Sequence, residues 1–328
     1  MIIGIIGLGN MGLNHLRYLR RDSKVKRIFL FDKNPVVLNN LKTYDNEIKL
    51  KNFKEFEKTK MDYLVVAVPS NESLNICMTL PINLKGILLE KPGFNDSKNF
   101  KAFKEHLKCT NARIVVGIGY IERHNPVFKA LKNFFSENPE VKPISIITYR
   151  AGGGNFYINR ELDLFTDLIS HDLDLILQLT GEDFNFITAN NAAQNTNQYP
   201  DGYSHTVQIV GKLESGILIN LFSNCVSPIK IRKMYIWCNQ GLISIDYITN
   251  SFEYIENDLT LIKWDDVRKL KGDFNPVSRQ IKINLVEPLE LEHQEFRQFL
   301  HGGKNNFCTL VEAERLMELI EKAKCSIL

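Results

Sequence analysis

The stretch that decides the fold is Ile2-Ile3-Gly4-Ile5-Ile6, followed at once by Gly7-Leu8-Gly9-Asn10-Met11-Gly12. The first five residues are almost continuously apolar, which is typical of a strand buried on both faces of a parallel sheet. The next six have the spacing GxGxxG, and residues 12–20 are predicted as a helix. A glycine-rich turn between a strand and a helix indicates a dinucleotide-binding fold. The alternative is a purely structural turn, and the context on both sides argues against it.

Each residue of the glycine motif has a task in that interpretation. Gly7 permits the tight turn, Gly9 lets the backbone approach a pyrophosphate, and Gly12 allows close packing of the helix. Asn10 and Met11 lie in the turn that leads into the helix, whose free N–H groups and partial positive charge attract phosphates. We therefore expect all five residues to contact a dinucleotide.

The second predicted strand, residues 27–31, leads to Asp32, twenty positions after Gly12. An acid at this position can accept hydrogen bonds from ribose hydroxyls, which favours NAD. Lys33 follows directly and offers a partner to the 2′-phosphate of NADP. NAD is therefore the expected cofactor, and NADP is the alternative.

The pattern of strands divides the chain into two domains. In the first part, apolar runs alternate with helical patterns, which predicts a doubly wound parallel sheet of the Rossmann type. The predicted strands are residues 2–6, 27–31, 63–68, 86–89 and 113–118. After a helix over residues 126–135 and a strand over 144–149, the chain from about 184 to 262 is predicted as successive strands joined by short turns. These indicate an α+β domain with a large, mostly antiparallel open sheet. We place a dinucleotide-binding domain at 1–120 and a substrate-binding and oligomerisation domain at 121–328, with the C-terminal helices near their junction.

The composition excludes several classes of protein. Of 328 residues, 44% are hydrophobic, and 41 basic and 38 acidic side chains leave a net charge of +3. With no long basic block, we expect neither nucleic-acid nor membrane binding. No apolar stretch approaches the roughly 20 residues of a membrane span, and the N-terminus has no signal-peptide pattern. The six cysteines form no CxxC pair, so we expect a cytoplasmic protein with reduced thiols and no metal site.

Two short segments follow predicted strands of the first domain, where ligands of such sheets bind. Pro69, Ser70 and Asn71 follow one of them, and an ordinary turn is an equally good interpretation. Glu90-Lys91-Pro92 follows another, with Pro92 holding Lys91 extended. Lys91 there suits an acid or base, whereas a Lys-Pro pair by itself is more often a surface loop.

A predicted helix over residues 162–180 carries a stripe of short ionisable side chains. Asp163, Asp167, His171 and Asp174 follow one another at helical spacings, on one narrow face. A solvated face is the alternative, but the segment contains no Lys, Arg or Glu, in a chain rich in Lys. Asp167 and His171, one turn apart, can form a pair in which the acid orients the base. Gly181 is predicted to end this helix.

These motifs occur in the order typical of the Gfo/Idh/MocA oxidoreductases, and the resemblance runs nearly end to end. The residues that carry it are the glycine motif with His15, Asp32, Glu90-Lys91-Pro92, the segments 119–126 and 167–174, and Glu287-Pro288-Leu289. The chain departs from the family at Ile169, where Gly or Ala is frequent, and at Ser73, where a His is frequent. The second departure affects expected contacts near the nicotinamide.

The resemblance implies that Lys91, Asp167 and His171 serve catalysis and touch the substrate. It also implies that Glu90 and Lys91 lie at the cofactor, and that protomers form homodimers or homotetramers through the C-terminal sheet. A regulator that binds the dinucleotide without turnover is the alternative from another class. The retained acid–base residues argue against it, because a sensor would not need them.

A second group of residues is similar to nucleotide-sugar 3-dehydrogenases, which include enzymes acting on UDP-N-acetylglucosamine. It comprises residues 227–232, Gly241 and residues 246–249. Arg150 and Arg160 flank a run of three glycines, and guanidinium groups suit diphosphate oxygens. We therefore expect hydride transfer between a nicotinamide and a sugar, most simply a UDP-N-acetylhexosamine. A free polyol, inositol or sugar is the alternative substrate.

Overall fold

The computed structural model describes residues 1–80, 84–152, 163–192, 204–256, 277–304 and 306–327, without the side chain of Glu57. The chain divides into two units. The first contains residues 1–124 and 287–318, and the second contains residues 125–286 and 319–328. Within the described ranges, no helix is both long enough and apolar enough to cross a membrane.

A six-stranded parallel sheet with the order β3-β2-β1-β4-β5-β6 forms the centre of the first unit. Its strands are β1 (Ile2–Ile6), β2 (Arg27–Phe31), β3 (Glu47–Lys49), β4 (Tyr63–Val66), β5 (Gly86–Glu90) and β6 (Val115–Gly119). Every residue of β4 and β5 is buried, as their apolar sequences predict. The predicted Rossmann sheet is confirmed, and β3 is added to it as a short edge strand without an apolar run.

Nine α-helices lie in the described part of the chain. They are α1 (Asn10–Leu19), α2 (Pro35–Asn40), α3 (Phe53–Lys58), α4 (Ser70–Thr79), α5 (Ser97–Cys109), α6 (Pro126–Glu137), α7 (Ser170–Thr180), α8 (Pro288–Leu300) and α9 (Leu310–Cys325). Before α9, the backbone N–H of Thr309 donates to Glu312 Oε2 at 2.7 Å, and the N–H of Glu312 donates to Thr309 Oγ1 at 3.2 Å. These two reciprocal hydrogen bonds form a capping box.

Helix α8 belongs to the first unit, whereas a boundary at residue 120 assigns it to the second domain. The reason is apolar packing. Leu289 and Phe296 of α8 join the buried core formed around β1 and β4. Phe296 also lies against Gly117 of β6, at 3.2 Å from the point where a Cβ would stand. The first unit is thus completed by a segment distant in sequence.

An eight-stranded sheet with the order β14-β13-β12-β11-β7-β10-β9-β8 forms the second unit. Its strands are β7 (Pro143–Ala151), β8 (Phe184–Ala192), β9 (Thr206–Leu213), β10 (Leu218–Asn224), β11 (Ile231–Cys238), β12 (Gly241–Asp246), β13 (Ser251–Glu256) and β14 (Val277–Gln280). Only β7 and β10 pair in parallel, and all other neighbours are antiparallel. The predicted, mostly antiparallel sheet is confirmed.

The helix predicted over residues 162–180 is not uniform. Phe165–Ile169 forms a wider π-type turn, and α7 continues from Ser170. Gly181 ends α7 with a φ of 70°, in the left-handed conformation that its position predicts. Such π-type turns are frequent at functional sites.

Candidate active site

The glycine loop after β1 has the geometry that its sequence predicts. Gly7 has a φ of +85°, and a Cβ there would lie 2.3 Å from the carbonyl oxygen of Ala67. A Cβ on Gly12 would lie 1.9 Å from the carbonyl oxygen of Gly7. Neither position accepts a side chain, so both glycines are needed to bring α1 close to the end of β1.

Gly9 differs from its neighbours because the space beside it is open. Leaving aside Gly9 and its two chain neighbours, no atom of the described residues lies within 4 Å of the point where its Cβ would stand. Gly9 is also the N-cap residue of α1, and no side chain caps the helix there. An uncapped helix N-terminus beside open space suits a phosphate group. The residues present therefore fit the pyrophosphate of a dinucleotide.

Asp32, at the end of β2, is tied to the glycine loop. Its Oδ2 accepts a hydrogen bond of 2.7 Å from the N–H of Leu8, and its Oδ1 accepts one of 2.8 Å from the N–H of Asn34. The carboxylate is half-buried and has further lone pairs with which to accept hydroxyl protons. Lys33 forms an ion pair with Glu72 of α4. Glu72 thus neutralises the side chain of Lys33, the cation that could otherwise bind the 2′-phosphate of NADP.

The first unit brings most predicted cofactor residues to one edge of its sheet. Strands β2, β1, β4 and β5 are consecutive neighbours, so their carboxyl ends meet there. Pro69 is the N-cap of α4, and Ser70 and Asn71 form the first turn of that helix. Lys91 follows β5 directly and is half-buried.

Glu90 has a different environment from the one the family resemblance implies. Its side chain is buried, and its Oε1 lies 2.7 Å from Nε2 of His15. His15 in turn contacts His293 of α8, which contacts Tyr63 of β4. This network was not predicted from the sequence. The local sequence signal for it is the adjacent pair Glu292 and His293 on the amphipathic helix α8.

In the second unit, Asp167 and His171 lie on a buried helical segment. They are 5% and 9% exposed, and every residue from 164 to 176 is buried, which excludes a solvated face. Asp163 has a separate role at the start of this segment. Its Oδ1 accepts a 2.9 Å hydrogen bond from the N–H of Thr166, and its carboxylate pairs with Lys324.

Arg150 was predicted to bind diphosphate, but the structure places it inside the second unit. It is 3% exposed, and its Nε and Nη2 donate to Oδ1 of Asp172 at 2.9 and 2.7 Å. Oδ2 of Asp172 also accepts a hydrogen bond of 3.2 Å from Thr148. This geometry favours a structural role in joining β7 to α7. Arg160, Gly153 and Gly154 lie outside the described residues.

The segment that resembles nucleotide-sugar dehydrogenases packs at the end of β7. Arg232 donates a 2.8 Å hydrogen bond to the carbonyl oxygen of Ala151, and Ile229 and Lys230 lie against Gly152. Asp246 accepts hydrogen bonds from the N–H groups of residues 248 and 249. The structure thus brings residues 227–232 beside the start of the glycine run, while Asp246 shapes a turn.

Comparisons with known proteins identify dehydrogenases of similar sequence and fold. Inositol 2-dehydrogenase of Rhizobium meliloti (strain 1021) is 23% identical over 190 residues, which cover 57% of each chain. UDP-N-acetylglucosamine 3-dehydrogenase of Acidithiobacillus ferrooxidans is 23% identical over 256 residues, covering 76% of this chain and 75% of that one. A solved structure of an enzyme of that name and organism superposes with a TM-score of 0.79 at 19% identity, covering 100% of this chain and 97% of the other.

A family comparison covers the first domain. Residues 1–120 match the model of the Gfo/Idh/MocA family, described as an oxidoreductase family with an NAD-binding Rossmann fold. The glycine loop, Asp32 and the strand ends described above all lie within these residues. The resemblance found in the sequence is therefore confirmed: residues 1–120 of this chain match the Gfo/Idh/MocA oxidoreductase family.

Proposed function

We propose that the protein is an NAD-dependent dehydrogenase of a nucleotide sugar, acting on the carbon-3 hydroxyl of a UDP-N-acetylhexosamine or its uronic acid. The observation that carries the proposal is the cofactor edge of the first unit, where Gly9 leaves open space beside a helix N-terminus and Asp32 stands next to it. The buried Asp167 and His171 add the acid–base residues that a sensor would not need.

The bound nicotinamide would accept a hydride from the sugar, or return one to the ketone. In this proposal His171 takes the proton of the reacting hydroxyl, and Asp167, one helical turn away, orients its imidazole. Lys91 holds and polarises the reacting oxygen. The protein's contribution is to position these groups and to provide a proton acceptor at His171 Nδ1 or Nε2.

NAD is proposed over NADP because of the charges around the ribose. The Asp32 carboxylate would repel the 2′-phosphate of NADP and would accept hydrogen bonds from the ribose hydroxyls of NAD. The ion pair between Lys33 and Glu72 supports this choice. Lys33 follows Asp32 in sequence, and its charge is already paired with Glu72. The six cysteines are free thiols, which supports a cytoplasmic location.

The sugar nucleotide is supported by the relatives and by the packing of residues 227–232 beside Gly152. The test is a panel of UDP-sugars, free sugars and inositols, with the absorbance of NADH as readout. A free sugar is expected to lose kcat as well as affinity, because remote binding energy positions the reacting carbon. An added aminotransferase would remove the ketone if the equilibrium is unfavourable.

A polyol dehydrogenase is the second candidate, and the similarity to an inositol 2-dehydrogenase favours it. The same panel separates the two. Turnover of free sugars or inositols at the rate of UDP-sugars would overturn the nucleotide-sugar proposal. Turnover of none of them, with tight NAD binding, would instead support a regulator.

We further propose that two copies associate through the face of the second sheet that bears an aromatic row. This row consists of Phe222, Tyr149, Tyr235 and Trp237 on β10, β7 and β11, with successive ring centroids 6.1–6.3 Å apart. Tyr149 and Trp237 are each 42% exposed. A solvated sheet face normally carries polar residues, so an aromatic one suits a partner surface. A second copy can supply the same surface through two-fold symmetry.

Analytical ultracentrifugation tests this association. We expect a dimer or tetramer for the wild type, and smaller species for Trp237→Glu and Tyr149→Lys. The control is Val311→Lys, at a position on α9 that is 63% exposed. A monomeric wild type at micromolar concentration would overturn the proposal.

A further inference from the structure

A row of buried polar side chains runs through the core of the first unit. The hydroxyl of Tyr63 lies 2.9 Å from Nδ1 of His293, Nε2 of His293 lies 2.8 Å from Nδ1 of His15, and Nε2 of His15 lies 2.7 Å from Oε1 of Glu90. The first three residues are fully buried, and Glu90 is 8% exposed. These contacts join β4, α8, α1 and the end of β5.

The protons of this row have one consistent arrangement. Burial raises the pKa of Tyr63, so its hydroxyl keeps its proton and donates to His293 Nδ1. Burial, with a smaller effect of His15, lowers the pKa of His293 well below its usual value of 6.5, so this imidazole is neutral. Its single N–H is then at Nε2 and donates to His15. His15 therefore carries its proton at Nε2 and donates to Glu90, where the row ends on a carboxylate.

Glu292 lies next to this end of the row. It is fully buried, and among the described residues neither of its carboxyl oxygens has a hydrogen-bond partner. One carboxyl oxygen of Glu292, one of Glu90 and one ring nitrogen of His15 all lie within 4.8 Å of one another. Burial raises the pKa of Glu292 well above its usual value of 4.5, and nearby Glu90 and Glu295 raise it further. Two ionised carboxylates cannot easily coexist so close together in a buried site.

We propose that Glu90 and Glu292 hold one proton between them, and that this carboxyl pair, aligned by His15, is a positioning group for Lys91. The second part rests on the proposed catalytic role of Lys91, and the first does not. Glu292 carries the proton as a neutral acid, and Glu90 remains the ionised acceptor of His15. The buried cluster thus holds a single negative charge behind the strand end.

The link to Lys91 is through the backbone. Glu90 is the last residue of β5 and Lys91 is the next, while the N–H of Gly93 donates to the carbonyl oxygen of Glu90 at 3.0 Å. Fixing the Glu90 side chain from behind therefore fixes the start of the turn that carries Lys91. Space there is limited, because a Cβ on Gly119 would lie 3.3 Å from Oε1 of Glu90 and 3.4 Å from Oε1 of Glu292.

Other titratable groups face the pair from every element around it. They are His15 on α1, Tyr63 on β4, His124 in the turn after β6, and His293, Glu295 and Arg297 on α8. His124 Nδ1 lies 2.8 Å from Oε2 of Glu295, so this acid has its own partner. Arg297 forms an ion pair with Asp22. The shared proton therefore belongs to Glu90 and Glu292 rather than to these pairs.

Infrared difference spectroscopy tests the shared proton without any substrate. The spectrum of the wild type minus that of Glu292→Gln at pH 7.5 should contain the carbonyl band of a protonated carboxyl group. Glu318→Gln, an exposed change on α9, is the control and should leave that band in place. Absence of the band in the wild type would overturn the proposal.

A metal ion is the other species that could neutralise two carboxylates beside a histidine. Metal analysis of the purified protein, before and after dialysis against EDTA, addresses it directly. We expect less than one-tenth of an equivalent of any transition metal. A stoichiometric metal ion that is lost in His15→Ala would overturn the shared proton and assign a metal site instead.

The positioning role is tested by His15→Ala and its conservative partner His15→Gln. Loss of a hydrogen bond to a charged group should lower kcat roughly tenfold or more and shift its pH profile. A Gln side chain can accept a hydrogen bond from His293 and donate one to Glu90. His15→Gln should therefore restore most of kcat and most of the wild-type pH profile. If His15→Ala only reduces the fraction of correctly folded protein, kcat should fall while its pH profile stays unchanged. That result would overturn the positioning role.

The two proposals fail in different ways. If the wild type turns over none of the sugars or polyols, the proposed function fails while the infrared band still reports the shared proton. If it turns over a sugar but the band is absent, the carboxyl pair fails and the enzyme assignment stands.

Discussion

The backbone N–H of Leu8 donates a 2.7 Å hydrogen bond to Oδ2 of Asp32, and this bond joins the glycine loop to the end of β2. The carboxylate that holds the loop is the one to which we assign the ribose hydroxyls in the proposed function. In the proposed function, the position of the pyrophosphate site and the choice between NAD and NADP thus depend on the same side chain.

Asp32→Asn should weaken NAD binding by roughly 10- to 100-fold, since it removes hydrogen bonds to a charged acceptor. The ratio of NADP to NAD affinity should rise, because the charge that repels a 2′-phosphate is gone. Calorimetric titration of both cofactors measures this, with the exposed Asp45→Asn as control. Unchanged NAD affinity, or a wild type that prefers NADP, would contradict the assignment of Asp32.

His171→Ala should lower kcat by about 10²–10⁴-fold, the usual contribution of a positioned acid or base, and leave NAD affinity nearly intact. Asp167→Asn should have a smaller effect in the same direction, because Asp167 acts by orienting His171. Steady-state kinetics with the substrate found in the panel provides the measurement. Gln178→Ala, on the same helix but half-buried, is the control. Near-normal kcat in His171→Ala would show that the proton is taken elsewhere.

Arg150→Ala should destabilise the protein by about 3–5 kcal/mol, because it leaves the buried Asp172 carboxylate without its cation. Urea unfolding measures the loss. The control is Arg279→Ala, whose ion pair with Glu256 is exposed and should be worth at most about 1 kcal/mol. If Arg150→Ala instead keeps full stability and loses affinity for UDP-sugars, the diphosphate role predicted from the sequence would be correct.

Glu292→Gln should change how stability depends on pH. The folded protein holds the pKa of Glu292 above the unfolded value of 4.5, so its stabilising contribution is complete below pH 4.5 and is lost as the pH rises toward the folded pKa. The variant should therefore gain stability relative to the wild type by about 1.4 kcal/mol per pH unit above pH 5. Urea unfolding at pH 5, 6 and 7 measures this difference. Parallel curves would mean that Glu292 ionises in the folded state.

The central strands of the first sheet were predictable because they are short apolar runs bounded by helical patterns. β3 was missed, since Glu47–Lys49 has only one apolar residue, Ile48, and forms by pairing with β2 at an edge. The π-type turn at Phe165–Ile169 was missed as well. No residue there breaks a helix, so the distinction arises from packing rather than from local propensity.

Within the candidate site, the sequence located strand ends well and distant partners poorly. The turn at Gly7 and Gly12 and the position of Asp32 at a strand end were predictable because they follow from the backbone of one βαβ unit. The pairing of Arg150 with Asp172 joins two elements, and an Arg beside glycines favoured a surface ligand instead. Glu292 meets Glu90 only after α8 packs on the first sheet, and no local pattern reports such a contact.

The division of the first unit into residues 1–124 and 287–318 has a consequence for synthesis on the ribosome. The strands of the parallel sheet are synthesised early. The contacts of His15 and Tyr63 with His293, and of Gly117 with Phe296, can form only after most of the chain has been translated. In that interval the apolar surface that α8 later covers is open to chaperones or to aggregation. Release of a nascent chain before residue 287 would therefore yield a dinucleotide-binding domain that lacks α8 and the complete row of buried polar side chains. We expect such fragments to be degraded.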